Sequence, residues 1–276
     1  MPHGNEHLTM TQVRRPSVAG LFYPGDPEQL AEDVRDYLQA GAEPPDRADI
    51  ARPPKAVIAP HAGYIYSGPI AGSAYARIAE QADAISRVVL LGPAHRYPFR
   101  GLAYPDADRF ATPLGEIPVA RGAIDAIADL PQVHRLDAAF DGEHCLEVQL
   151  PFLQTVLTDF RIVPLLVGDA ADADVAEVLE RLWGGDETLI LISSDLSHYL
   201  DYASARAIDE RTSAAICALR PDAITTHQAC GRHPIAGLLR EAVAHGLKPA
   251  LLDLRNSGDT AGPRDRVVGY GAYAFR

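Results

Sequence analysis

TLILISSD, residues 188–195, is a run of four aliphatic residues that ends in two serines and an aspartate. A strand with one solvated face alternates apolar and polar residues, whereas a strand covered on both faces stays apolar throughout. Three other segments have the same character: KAVIAP (55–60), RVVLLGP (87–93) and RIVPLLVG (161–168). Helical periodicity separates them, at about 28–40, 68–81, 122–130, 172–183, 203–219 and 234–245. Doubly covered strands interleaved with helices imply an α/β fold, with a central, mostly parallel or mixed sheet flanked by helices. ALLDLRNS (250–257) and VVGYGAYAF (267–275) have no helix between them and are expected to pair as an edge hairpin.

The remaining stretches fit one domain spanning 1–276, with residues 1–12 read as a flexible N-terminus. GAEPPDRADIARPPK (41–55) reads as a surface connection, and the stretch from Ala94 to Gly115 as irregular, proline-rich chain. In EHCLEVQLPFLQTVL (143–157) the apolar spacing is helical, and Pro151 must kink or restart the helix. GEIPVA (115–120) reads as a short strand.

Composition removes several classes of function. Against 25 Lys and Arg stand 37 Asp and Glu, a formal net charge of −12. Nucleic-acid and anionic-membrane binders need a cationic face, so neither partner is expected. Three scattered cysteines do not make a secreted disulfide framework. The opening MPHGNEHLTM lacks the apolar core of a signal peptide, and no apolar run reaches the roughly 18 residues of a membrane span. A cytoplasmic location is expected.

Ten histidines are present, and three share one kind of place. His61 follows KAVIAP, His95 lies in LLGPAH, and His198 lies in SSDLSH. In open α/β sheets ligands bind beyond the carboxyl ends of the strands, so three imidazoles delivered there can converge. Each taken alone is more often a surface or capping residue than a ligand. Asp195 ends an apolar strand, where an unpaired charge is costly; it needs a partner or a metal, or else caps the next helix. In DGEHCLEVQ, His144 and Glu147 are three apart and on a helix would share a face with each other. His144 is read as pocket wall, with a capped helix start as the alternative for the segment.

Cys230 precedes Pro234, a suitable first-turn residue, so the helix N-terminus is expected to lower its thiol pKa. Cys145 and Cys217 read as core. Tyr64 and Tyr66 are candidates for a pocket wall or for packing. Arg232 is suited to an anionic substrate or to a surface ion pair. His3 and His7 fall in the N-terminal segment, His134, His227 and His245 carry no argued role, and His233 is undecided.

APHAGYIYSGPIAGSAYA (59–76), VVLLGPAHR (88–96), EHCLEVQLPFL (143–153), LISSDLSHY (191–199) and ACGRHPI (229–235) together resemble the Memo family. So do RRPSVAGLFYPGD (14–26), TPLGEIPV (112–119), VPLLVG (163–168) and VVGYGAYAF (267–275). The resemblance runs in order along essentially the whole chain. It implies a fold like that of class III extradiol ring-cleaving dioxygenases, in which two histidines and a glutamate hold Fe(II). By position it implies His61 and His95 as metal ligands and His198 as the acid/base histidine. Cys230 stands where the dioxygenases have the carboxylate, and Asp195 and His144 line the pocket.

Two imidazoles and a thiolate suit one metal ion, with iron or copper favoured and zinc possible. The implied function is a metal-dependent redox or dioxygenase-like enzyme acting on an unknown small molecule. The alternative is a non-catalytic module for handling metal or binding a peptide end; a zinc hydrolase is a third option. The resemblance also implies a functional link to a radical-SAM protein.

Overall fold

The computed structural model describes residues 11–42 and 53–276. Most of the 41–55 connection and all but two residues of the 1–12 segment therefore lie outside the described residues. Gln12 exchanges two hydrogen bonds with Asp108.

From the amino end come strand β1 (Val13–Arg14), helix α1 (Pro27–Ala42), β2 (Ala56–Ala59), α2 (Tyr64–Ala79) and β3 (Arg87–Pro93). Short elements follow: β4 (Leu102–Tyr104), β5 (Arg109–Thr112), β6 (Gly115–Pro118), α3 (Arg121–Asp125) and β7 (Val133–Arg135). Then come α4 (Leu150–Val156), β8 (Arg161–Val167), α5 (Asp172–Leu182), β9 (Thr188–Ser193) and β10 (His198–Leu200). Last are α6 (Tyr202–Cys217), α7 (Arg232–Ala244), β11 (Pro249–Asn256) and β12 (Val267–Phe275).

The central sheet has nine strands in the order β10-β12-β2-β9-β3-β8-β4-β7, with β11 also on β12. β2, β9, β3 and β8 are mutually parallel, and β12 and β4 join them antiparallel on either side. The sheet is thus mixed around a parallel centre. All the residues of β2 and β9 are buried, which is why these strands carry no polar alternation. The β2-α2-β3 crossover steps one way across β9, and β8-α5-β9 steps back across β3. Right-handed crossovers running in opposite directions put α2 and α5 on opposite faces, so the centre is covered twice.

α1 and α2 pack closely because glycine lines their contact. A Cβ built on Gly72 would lie 2.1 Å from the carbonyl oxygen of Tyr37. No described helix is long and apolar enough to cross a membrane.

Several expectations need correction. The 94–115 stretch contains β4 and β5, which at three and four residues are too short to show a period. β11 and β12 do form the expected antiparallel pair, but β12 also pairs with β2 and β10 and is no edge strand. α2 begins four residues before Gly68, with Pro69 inside it. Its start is fixed by tertiary contacts: Tyr64 is buried, and its backbone N–H donates to the Phe22 carbonyl at 2.7 Å. Between 143 and 157 the expected restart at Pro151 is found: a 3₁₀ turn at Glu147–Gln149 leads into α4, with Pro151 in its first turn.

Candidate functional site

The parallel strands end along one rim, and three candidate residues leave it at the same offset. His61, Asp195 and His95 each lie two residues beyond the last residue of β2, β9 and β3. Ala59 of β2 is in register with Ser193 of β9, so His61 and Asp195 stand abreast. The His61 backbone N–H donates to Asp195 Oδ1 at 2.7 Å. His198 opens β10, opposite Val268 of β12. Cys230 arrives from the turn before α7, and Gly231 lets that turn close on β9. A Cβ on Gly231 would lie 2.5 Å from Ser194 Cβ, and its N–H donates to Ser194 Oγ at 2.9 Å. Cys230 Sγ consequently lies 3.3 Å from His61 Nε2. A cavity of about 600 Å³ opens beside these groups, with His61, His95, His144, Asp195 and His198 in its wall.

Neighbours fix the tautomers of three imidazoles. The Ser193 hydroxyl donates to the Cys145 carbonyl at 2.6 Å, so its oxygen accepts from Gln149 Nε2 and from His61 Nδ1–H. His95 Nδ1 donates to Glu143 Oε1 at 2.9 Å, and its backbone N–H donates to Glu143 Oε2. His198 Nδ1 donates to the Leu196 carbonyl at 2.8 Å. With Nδ1 carrying the proton, each neutral ring leaves Nε2 as a lone-pair donor.

The electrostatics follow from burial. Desolvation holds His61 well below the usual imidazole range, with the neighbouring His95 adding to the effect. Burial pushes the Glu143 carboxyl up, but hydrogen bonds from the His95 ring and backbone outweigh it and set the pKa at about 2. Burial lowers His144 to about 4, helped by His61 nearby. Burial raises Asp195.

The Cys230 thiol is pushed up to about 12, first by burial and then by the Asp195 charge. This reverses the expected lowering: desolvation and a neighbouring carboxylate outweigh the partial charge at the start of α7.

His61, His95 and Cys230 form a group whose donor atoms all lie within 4.8 Å of one another. His144 stacks on His95, ring centroids 4.9 Å apart, and meets Phe22 at 4.6 Å. Glu147 does not share its face, since His144 precedes the 3₁₀ turn. Instead Glu147 accepts from Ser17 N–H, Val18 N–H and Tyr23 Oη, anchoring the chain between 17 and 23.

Two pocket candidates lie elsewhere. Tyr64 is buried against Tyr23, Tyr37 and Phe152 and donates to the Val148 carbonyl at 2.6 Å. Tyr66, two residues along the helix, does line the cavity. Arg232 is absent from the wall and pairs with Asp172 at 3.3 Å. Cys145 is buried as expected, whereas Cys217 is exposed near the end of α6. His245 stacks on Trp183 and pairs with Glu180 at 2.7 Å, away from the cavity.

The sequence reading missed Arg96 and Arg266 in the cavity wall. It also missed the orienting partners Glu143 and Ser193. Adjacency was the available signal: Arg96 follows His95, and Ser193 is two residues from Asp195.

Comparison with known proteins gives matches along nearly the whole chain. The family model described as Memo-like protein matches residues 14–274. A MEMO1 family protein of Aquifex aeolicus (strain VF5) is 36% identical over 271 residues, 94% of this chain and 97% of that protein. One from Archaeoglobus fulgidus is 34% identical over 278 residues, covering 96% and 100%. Another, from Nitrosopumilus maritimus (strain SCM1), is 31% identical over 275 residues, covering 95% and 99%. The chain belongs to the Memo-like family.

Proposed function

We propose that this chain is a metal-dependent oxidoreductase that holds one ion, iron or copper ahead of zinc, through His61, His95 and Cys230. The reading has a small organic molecule in the adjoining cavity, as the implied kinship with ring-cleaving dioxygenases suggests. One observation carries it: two imidazoles with Nδ1 pinned, at Ser193 and Glu143, belong with a thiol to a set of donors within 4.8 Å. Metal-binding histidines are oriented in this way, by a hydrogen bond at the other ring nitrogen.

In this reading Glu143 orients His95 and is not the third ligand: its Oε1 accepts from His95 Nδ1 and from the His144 and Cys145 N–H groups, on the side of the ring opposite Nε2. Cys230 is the third donor, which gives the site a softer character suited to copper, iron or zinc. A bound ion of this kind supplies Lewis-acid or redox chemistry.

His198 acts as the proton carrier. Its Nδ1–H is committed to Leu196, and its Nε2 accepts a proton from a hydroxyl in the cavity. Asp195 positions His61 through the backbone N–H. Phe22, Tyr66 and His144 wall the cavity beside them.

The test is metal analysis of protein purified without oxygen. Cys230→Ala should lose the ion, and His198→Ala should keep it and lose turnover. Unchanged metal in Cys230→Ala would overturn the ligand set.

The thiolate in place of a carboxylate also supports a second reading, a metal-handling or peptide-binding module without turnover. Oxygen uptake by the iron-loaded protein with a panel of catechols favours the enzyme; reversible, stoichiometric metal binding without uptake favours the module. A working partnership with a radical-SAM protein is compatible with either.

A further inference from the structure

We infer that the cavity selects a small organic anion, with Arg96 and Arg266 as its charge-reading residues; this rests on the cavity being the ligand site. Both arginines are exposed and line the cavity, and neither has a hydrogen bond or ion pair among the described residues. Elsewhere in this acidic chain arginines are commonly paired with carboxylates, as Arg87 is with Glu187 and Arg232 with Asp172. Among the described residues of the wall, Asp195 is the one carboxylate, and its Oδ1 already accepts the His61 N–H. The cavity therefore presents two unneutralised guanidinium groups in a protein of net charge −12.

Their placement is ordered by the sheet. Arg96 follows His95 at the carboxyl end of β3. Arg266 precedes β12, whose start lies on the same rim because β12 runs antiparallel to β2. In the strand order β12-β2-β9-β3, the His61–Asp195 pair lies between the two arginines.

Each guanidinium is also supported. Arg96 lies close over Gly142, where a Cβ would be 3.6 Å from its Cδ and Nε. The Arg266 Cζ sits 4.6 Å from the ring centroid of Tyr199. Tyr199 adopts a left-handed φ of 62° and is 64% exposed, a conformation disfavoured for a side chain of this size. That backbone turn carries its ring out of the core to the face of Arg266.

Carboxylate and phosphate monoester both match a guanidinium. The apolar part of the ligand would lie against Phe22 and Tyr66. A neutral catechol would leave both arginines unused.

Calorimetric titration of the full chain with benzoate, phenyl phosphate and neutral benzamide tests the inference and separates the two anion classes. At least one anion should bind roughly tenfold or more tightly than benzamide, as expected for charge-assisted hydrogen bonds. Arg96→Gln and Arg266→Gln should each weaken that anion by about tenfold and leave benzamide unchanged, and Arg266→Lys should recover part of the loss. Both glutamine variants should keep the wild-type metal content. Equal affinity for anions and benzamide, no binding of either anion, or a preference that survives in the double variant would overturn the inference. Metal retained in Cys230→Ala alongside intact anion selectivity would sink the ligand set and spare this inference.

Discussion

His95 Nδ1 lies 2.9 Å from Glu143 Oε1, and the other oxygen of the same carboxylate takes the His95 backbone N–H at 2.7 Å. One side chain therefore fixes both the ring and the peptide that carries it. Held at a pKa of about 2, Glu143 is an anion at any working pH and makes the far ring nitrogen more basic. Glu143→Gln keeps the shape and removes the charge. Metal affinity, measured by competition with a chelator, should fall about tenfold while the far-ultraviolet spectrum is unchanged. Undiminished affinity would show that His95 needs no such support.

Ser193 is the corresponding support for His61, but it lies deeper and serves three partners. Ser193→Ala leaves the Cys145 carbonyl, a Gln149 N–H and the His61 Nδ1–H without their present partner. Urea unfolding should show a loss of about 2 kcal/mol. Nitrogen NMR of the variant should show His61 populating both neutral tautomers, and a single retained tautomer would contradict the role given to Ser193.

Tyr64 gives the opposite pattern. Its hydroxyl is spent on Val148 in the core, so Tyr64→Phe should cost about 1 kcal/mol of stability and leave metal content and ligand affinity alone. A change in ligand affinity would return Tyr64 to the pocket wall.

Asp209 sets a pH dependence of stability. Burial raises its carboxyl to about 6, against the hydrogen bond it accepts from Ser197 N–H. The folded chain then holds this proton more tightly than the unfolded chain. Its contribution is fully present below pH 4 and is lost as pH rises through about 6. Relative to Asp209→Asn, the wild type should lose about 1 kcal/mol between pH 5 and pH 7.5 in urea melts. An equal response in both proteins would show that Asp209 ionises freely.

What was legible in the sequence, and what was not, divides along the range of the interactions. β2, β3, β8 and β9 were visible because strands buried on both faces must be aliphatic throughout, and that is a local signature. His61, His95 and Asp195 were visible as the polar residues just past those strands. Tyr64 and Tyr66 could not be separated without the start of α2, which Phe22 fixes from a distance. Once the helix is known, residues two apart point about 200° away from each other, so only one of them can face the cavity. The Cys230 thiol shows a related limit. A helix start is readable from Pro234, but the packing of Gly231 on Ser194, which buries the sulfur, is not. Arg96 and Arg266 looked like ordinary surface charge, since only the strand order places them at one opening.

The shared two-residue offset of His61, Asp195 and His95 means that the width of β9 acts as a gauge for the site. β2 and β3 are not neighbours; β9 lies between them, and two strand spacings amount to about 10 Å. The imidazoles lean across that gap until their centroids are 5.2 Å apart. The bite is therefore dimensioned by backbone hydrogen bonding in the middle of the sheet. Loops elsewhere can lengthen or shorten without touching it, whereas one residue inserted between Ala59 and His61 would throw the measurement out.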